Sequence, residues 1–283
     1  HGGGATHKIA LMREAQGWHD PPGYYNDEHR RYLTYDSTPP ERALRLGGFE
    51  VILSQLRRFE SALKLAHLAN RTLILPKLRC GNAAMAYPCY AWYHRATTSG
   101  GFRHERVPMP EYCPSYYWLN HGLAHEMKLQ IREHSFLTNP RTPAEVAKST
   151  SILHIGASAT APSSSSSSSS AATVPAHAGL TKLAHAFKSL KDARVVHVPE
   201  LDGLTLAENG GKGAANGHAS MLLSLPKHRS PLGSGLDAVS PIASGFWCTA
   251  CVTTRRGGVL QELNRSTARE LEKFCRIEAR GAL

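Results

Sequence analysis

No stretch of this sequence approaches the ~20 consecutive apolar residues that a membrane-spanning helix requires, and no secretory leader pattern is visible at its start. The chain opens at His1 rather than at a methionine, so it is expected to be a piece of a longer protein. Catalytic signatures are missing too. His1-Gly2-Gly3-Gly4 resembles an oxyanion loop, but no Gly-x-Ser-x-Gly elbow accompanies it, which excludes the usual serine hydrolase. His121 and His125 share a helical face, yet the His-Glu-x-x-His of zinc hydrolases is absent. No Asp-x-Asp pair is present to grip a divalent cation, so no metal site is expected in this chain. Lys212 is followed by Gly213 rather than by Ser or Thr, so the glycine-rich Leu206–Ser220 is a flexible loop and not a phosphate cradle.

Acidic residues are also in deficit: 33 Lys and Arg face 22 Asp and Glu, a net charge of +11. The surplus is local. Residues 1–60 hold eight charges of each sign, whereas 61–120 hold seven basic and two acidic residues. With no basic arm, zinc-finger spacing or aromatic RNA-reading strand, nucleic acid is not an expected partner. Phosphate-bearing compounds or a plain basic surface account for the charge.

What is present reads as a globular chain, 283 residues long and 41% hydrophobic. Phe49, Ile52, Leu53, Leu56, Phe59, Leu63 and Ala66 recur at helical spacing and predict a helix over Glu50–Ala69, with Arg57, Arg58, Glu60 and Lys64 off its apolar face. Tyr32–Tyr35 before it and Thr72–Leu75 after it, the latter stopped by Pro76, have strand character. Strand, helix and strand in close succession predict a βαβ unit. A second such unit is expected from Ile152–Ile155, Leu180–Leu190 and Arg194–Val198, and Gln261–Ala279 predicts a further amphipathic helix. The expected fold is therefore α/β, a Rossmann-like parallel sheet built from βαβ units. It is interrupted by a Ser-rich disordered insertion, because the run Ser163–Ser170 buries too little apolar surface to offset its ordering entropy. The expected organisation is an α/β segment over 1–156, a Ser/Ala-rich linker over 157–178, and a second α/β portion over 179–283.

The six cysteines, Cys80, Cys89, Cys113, Cys248, Cys251 and Cys275, are even in number. The sequons Asn70-Arg71-Thr72 and Asn264-Arg265-Ser266 accompany them. Together they suit disulfides and glycans in an oxidising compartment. Asn70 has a second reading, as the C-terminal cap of the long helix. Cys248-Thr-Ala-Cys251 lacks the second close pair that a zinc ribbon needs.

Three ordered stretches carry a family likeness. The first is Met12-Arg13-Glu14-Ala15 with Trp18 and Asp20-Pro21-Pro22-Gly23-Tyr24-Tyr25. The second is Gln55-Leu56-Arg57 followed by Leu68–Pro76 and Cys80. The third is Tyr112-Cys113-Pro114 followed by Arg132–Arg141. In this order they resemble plant and green-algal arabinosyltransferases of the nucleotide-diphospho-sugar transferase type, over roughly residues 7–150.

The resemblance implies a Golgi-lumenal enzyme that transfers arabinose from a UDP-sugar to hydroxyproline-rich cell-wall glycoproteins. It also implies a membrane anchor and a manganese-dependent donor domain preceding the part matched here. On that reading this chain holds no cofactor of its own. Arg13, Asp20, Arg132, Asn139 and Arg141 lie in the matching stretches, where they either line a cleft or fix loops. Arg57 and Arg58 either attract phosphate near the helix start or form a solvated helix face. A fucosyltransferase-like enzyme binding its nucleotide at the Gly47-Gly48 loop is a second reading, although Leu56 stands where such enzymes place arginine. A non-catalytic acceptor-binding module is a third.

Overall fold

The structure, a computed structural model, describes residues 4–46, 48–79, 111–117, 119, 121–126, 128–156, 171–175 and 178–201. The glycine-rich loop, the predicted C-terminal helix, Asn264 and every cysteine except Cys113 lie outside these residues. In chain order the elements are α1 (Gly4–Glu14), α2 (Pro22–Tyr25), β1 (Tyr32–Tyr35), α3 (Glu41–Leu46), α4 (Gly48–Leu68), β2 (Thr72–Ile74) and β3 (Leu78–Arg79). There follow β4 (Tyr112–Cys113), α5 (His121–Glu126), β5 (Ile131–Arg132), α6 (Ala144–Lys148), β6 (Thr150–Ile155), β7 (Ala171–Val174), α7 (Leu180–Ser189) and β8 (Val195–Val198).

The predicted βαβ unit is present as β1, α4 and β2. β1 pairs in parallel with β2 through Tyr32↔Thr72 and Leu33↔Leu73. α4 forms because its apolar positions repeat at helical spacing, and it buries Val51, Leu56, Phe59, Ala62, Leu63, Leu65 and Ala66. Fully burying its larger side chains contributes roughly 1.5–3 kcal/mol each. Lys64 departs from the expected pattern. It is buried, and the cost of its charge is met by an ion pair with Glu60 one turn earlier. Gln55 is also buried, between α4 and β3. Its side-chain amide donates to the Arg79 carbonyl at 2.8 Å, and its oxygen accepts the Arg79 N–H at 2.7 Å. Gln55→Leu leaves both backbone groups unpaired. It is expected to cost about 1–3 kcal/mol in chemical denaturation.

Six parallel strands form the sheet, in the order β5-β2-β1-β8-β6-β7. β8, from the expected second portion, sits between β1 and β6, so the residues on both sides of the serine run share this sheet. The expected linker is shorter than 157–178, because Ala171–Val174 forms the edge strand against β6. Residues 157–170 lie outside the described set.

Parallel sheets are covered on both faces. On one face Tyr32, Ile74 and Val195 pack with Tyr25, Phe136 and Val146. Phe136 anchors this layer, 5.0 Å from the Tyr32 ring and stacked on Tyr25 at 5.9 Å. On the other face Leu33 and Leu73 are fully buried, on the side that α4 covers.

The junction of α4 and β2 explains the Asn70-Arg71-Thr72 sequence. Asn70 is exposed with φ 50°, the left-handed conformation in which asparagine ends helices. Arg71 turns inward. Its guanidinium donates to the carbonyls of Tyr32 at 3.2 Å, Ala193 at 3.0 Å and Leu190 at 2.9 Å.

Candidate functional site

In open parallel sheets, ligands bind outside the carboxyl ends of the strands, where the strand order reverses. Here the reversal falls at β1, with β2 and β5 on one side and β8, β6 and β7 on the other. The carboxyl end of β1 leads into Asp36-Ser37-Thr38-Pro39-Pro40. Two prolines and two hydroxyl residues stop the strand and turn the chain towards α3. Ser37 donates to the Lys77 carbonyl at 3.3 Å, and Arg58 from α4 donates to the Thr38 carbonyl. The Lys77 ammonium stands 4.4 Å from the centre of the Tyr112 ring. Beneath this edge Gln55, Leu56, Phe59, Leu78 and Leu119 line an apolar depression.

β1 and β8 place Thr34 opposite His197. The Thr34 hydroxyl lies 3.0 Å from His197 Nδ1, and His197 Nε2 faces Asp36 Oδ1 at 3.7 Å. The Tyr35 hydroxyl is buried without a partner, and burial pushes its pKa up.

A second cluster gathers five of the residues singled out in the sequence. Arg13 forms a two-point ion pair with Asp20, Nε to Oδ2 being 2.8 Å. The Tyr24 ring carries two guanidiniums, Arg132 at 3.9 Å and Arg13 at 4.5 Å. Such contacts are worth about 0.5–2 kcal/mol each. The Tyr24 hydroxyl donates to Glu133 at 2.6 Å, and its pKa is pushed up first by burial and then by the Glu133 charge. Burial lowers the pKa of Arg132. Arg132 Nε and Glu133 Oε1 are both buried without a partner.

Asn139 donates to the Tyr25 hydroxyl at 3.4 Å and accepts the Arg141 N–H at 3.0 Å. The Arg141 side chain donates to the Trp18 carbonyl at 2.7 Å and lies 2.9 Å from His19 Nδ1. Asn139 and Arg141 thus fix loops, while Arg13 and Arg132 stand against the Tyr24 ring and Asp20 holds Arg13. Arg57 and Arg58 are apart from this cluster: Arg57 is exposed on α4 and Arg58 reaches the strand edge.

Nearby, α1 docks on the turn before α5. The Ser115 N–H donates to the Glu14 carboxylate at 2.9 Å, and its hydroxyl lies 2.8 Å from His121 Nε2. His7 stacks on Tyr116 at 6.0 Å and meets His121 edge-on at 6.1 Å. Burial, with His7 and Arg13 close by, pulls the His121 pKa down to about 4. Burial raises the pKa of Glu14. Cys113 is disulfide-bonded.

Sequence reasoning passed over Thr34, Asp36 and His197. Strand alternation puts Thr34 and His197 on one face of their own strands, but nothing local says that these strands are neighbours. Nor does the donor set suit manganese. Among the described residues no three His, Cys, Asp or Glu side chains lie close enough to hold a metal ion.

The strand order defines an open parallel α/β protein with a polar edge at its reversal. Over 165 residues this chain is 28% identical to Arabinosyltransferase XEG113 of Arabidopsis thaliana, across 52% of this chain and 23% of that protein. The likeness is an arabinosyltransferase-like relationship, and the chain covers less than a quarter of that relative's length. No family model matches the chain, and no solved structure matches it.

Proposed function

We propose that this chain is part of a Golgi glycosyltransferase that moves a sugar, arabinose, from a UDP-sugar to a hydroxyproline-rich cell-wall glycoprotein. The observation that carries this reading is the 28% identity to an arabinosyltransferase over half of the chain. The polar edge at the strand reversal supports it physically, since this is where a parallel sheet receives a ligand. Arg58 and Lys77 supply positive charge there for a diphosphate leaving group. The basic balance of residues 61–120 adds to the attraction. The even cysteine number and the sequon at exposed Asn70 suit a secretory compartment.

Transfer forms a bond between an acceptor oxygen and the anomeric carbon, and the diphosphate leaves. The residues described here would position the acceptor and neutralise charge. The test is calorimetric titration of the complete glycosyltransferase, donor domain included, with UDP-arabinose and with hydroxyproline-rich peptide. It is run with and without manganese, the ion that the resemblance implies for the complete enzyme. Binding of both ligands is the expected result. Peptide binding with no nucleotide binding would favour the acceptor-binding module, a reading favoured by the 23% of the relative that this chain covers. Neither ligand binding would sink the proposal.

A further inference from the structure

We propose that Asp36 and His197 form a hydroxyl-binding pair at the carboxyl edge of the sheet, in which Asp36 takes the proton of an acceptor hydroxyl. This rests on the sugar-transfer reading above.

The pair exists because β1 and β8 lie side by side in parallel, with Thr34 opposite His197. These two residues are 163 positions apart in sequence. The Thr34 hydroxyl, 3.0 Å from Nδ1, holds the imidazole plane and leaves Nε2 facing Asp36. The Nε2 to Oδ1 separation of 3.7 Å is too long for a direct hydrogen bond. It is the base of a triangle whose apex accepts one oxygen about 2.8 Å from each atom. The side chains are 29% and 57% exposed, so a ligand reaches both. Of the charged groups on neighbouring elements, Arg58 is held nearby, against the Thr38 carbonyl.

With the Thr34 hydroxyl donating to Nδ1, Nε2 carries the proton and donates to the incoming oxygen. The hydroxyl proton points to Asp36. Attack then forms the bond from that oxygen to the anomeric carbon and breaks the bond from that carbon to the diphosphate oxygen. The nucleoside diphosphate leaves with the electron pair, and the proton passes to Asp36. His197 and Asp36 touch the substrate, and Thr34 is a positioning residue. The ligand class is an aliphatic alcohol on a peptide, either the hydroxyl of hydroxyproline or that of a pentose already attached to it.

The full chain is titrated with a hydroxyproline peptide and, separately, with the same peptide carrying one arabinose. Imidazole NMR signals are followed, and His197 is assigned by its loss in His197→Gln. The His197 signals are expected to shift with the preferred peptide and not with the other. His197→Ala should raise the Kd for that peptide about tenfold. Asp36→Asn keeps an oxygen acceptor but cannot take a proton. It should lower kcat about 100-fold while KM stays within about threefold. Thr34→Val, which frees the ring, should fall between wild type and His197→Ala in Kd.

Wild-type kcat in Asp36→Asn together with wild-type Kd in His197→Ala would overturn the pair and leave sugar transfer standing. Absence of transfer by the complete wild-type enzyme, in which kcat is measured, with peptide binding still weakened about tenfold by His197→Ala, would keep the hydroxyl-binding pair and discard the transfer reading.

Discussion

Replacing Arg71 with methionine is expected to destabilise the protein by about 3–5 kcal/mol. Methionine keeps the apolar stem and removes the donors. The carbonyls of Tyr32, Ala193 and Leu190 would then lose this buried donor, Leu190 keeping only its bond from the Ala193 N–H. These three groups belong to the first strand, the end of α7 and the approach to β8, so one guanidinium ties the start of the sheet to its last strand. Burial without a carboxylate partner has a cost, and it lowers the Arg71 pKa to about 10. The group stays charged at neutral pH. Arg71→Lys brings one compact ammonium in place of a planar fork, and an intermediate loss is expected. Urea denaturation of the three proteins measures both values. A loss below about 1 kcal/mol for methionine would mean that water replaces the guanidinium.

Acidification is expected to loosen the docking of α1 through His121. In the unfolded chain this histidine takes a proton near its ordinary value of 6.5, whereas in the fold it does so only near 4. Between these values the unfolded state holds more protons, so stability falls as the pH falls through that window. The full difference is about 3 kcal/mol, with about 2 kcal/mol lost by pH 5. His7 is also lowered by burial and acts in the same direction. Glu14, raised by burial, acts against it, because its protonated form is favoured in the fold. Thermal melting between pH 7 and pH 4 reads the effect. His121→Gln keeps a hydrogen-bonding group beside Ser115 and removes the titration, so its melting temperature should fall less over that range. Equal acid sensitivity in the two proteins would show that His121 is protonated without cost.

Much of the central sheet was legible because its signals are local. The helical spacing from Phe49 to Ala66 marks α4, and Thr72–Leu75 before Pro76 marks β2. β5 was not legible: two residues, Ile131 and Arg132, carry no periodicity, and they become a strand only because Leu73 and Ile74 offer an edge. β7 was hidden beside the serine run for a similar reason, since Ala171–Val174 gains its partner from β6. Lys64 misled the pattern because pairing with Glu60 makes its burial tolerable.

The same division holds at the candidate site. Arg13, Asp20, Arg132, Asn139 and Arg141 were marked by their motifs, but their roles depend on what surrounds Tyr24 and Tyr25. By itself the sequence determined the α/β class, the first βαβ unit and the ordered motifs shared with an arabinosyltransferase. Periodicity, breakers and local motifs are properties of neighbouring residues. The expected pairing of β6 with β8 is present, and only the tertiary structure decided that β8 also lies against β1. Parallel strands pair over long separations, and their order is set by which faces and edges can be buried together. That second pairing is what sets His197 beside Thr34 and opposite Asp36.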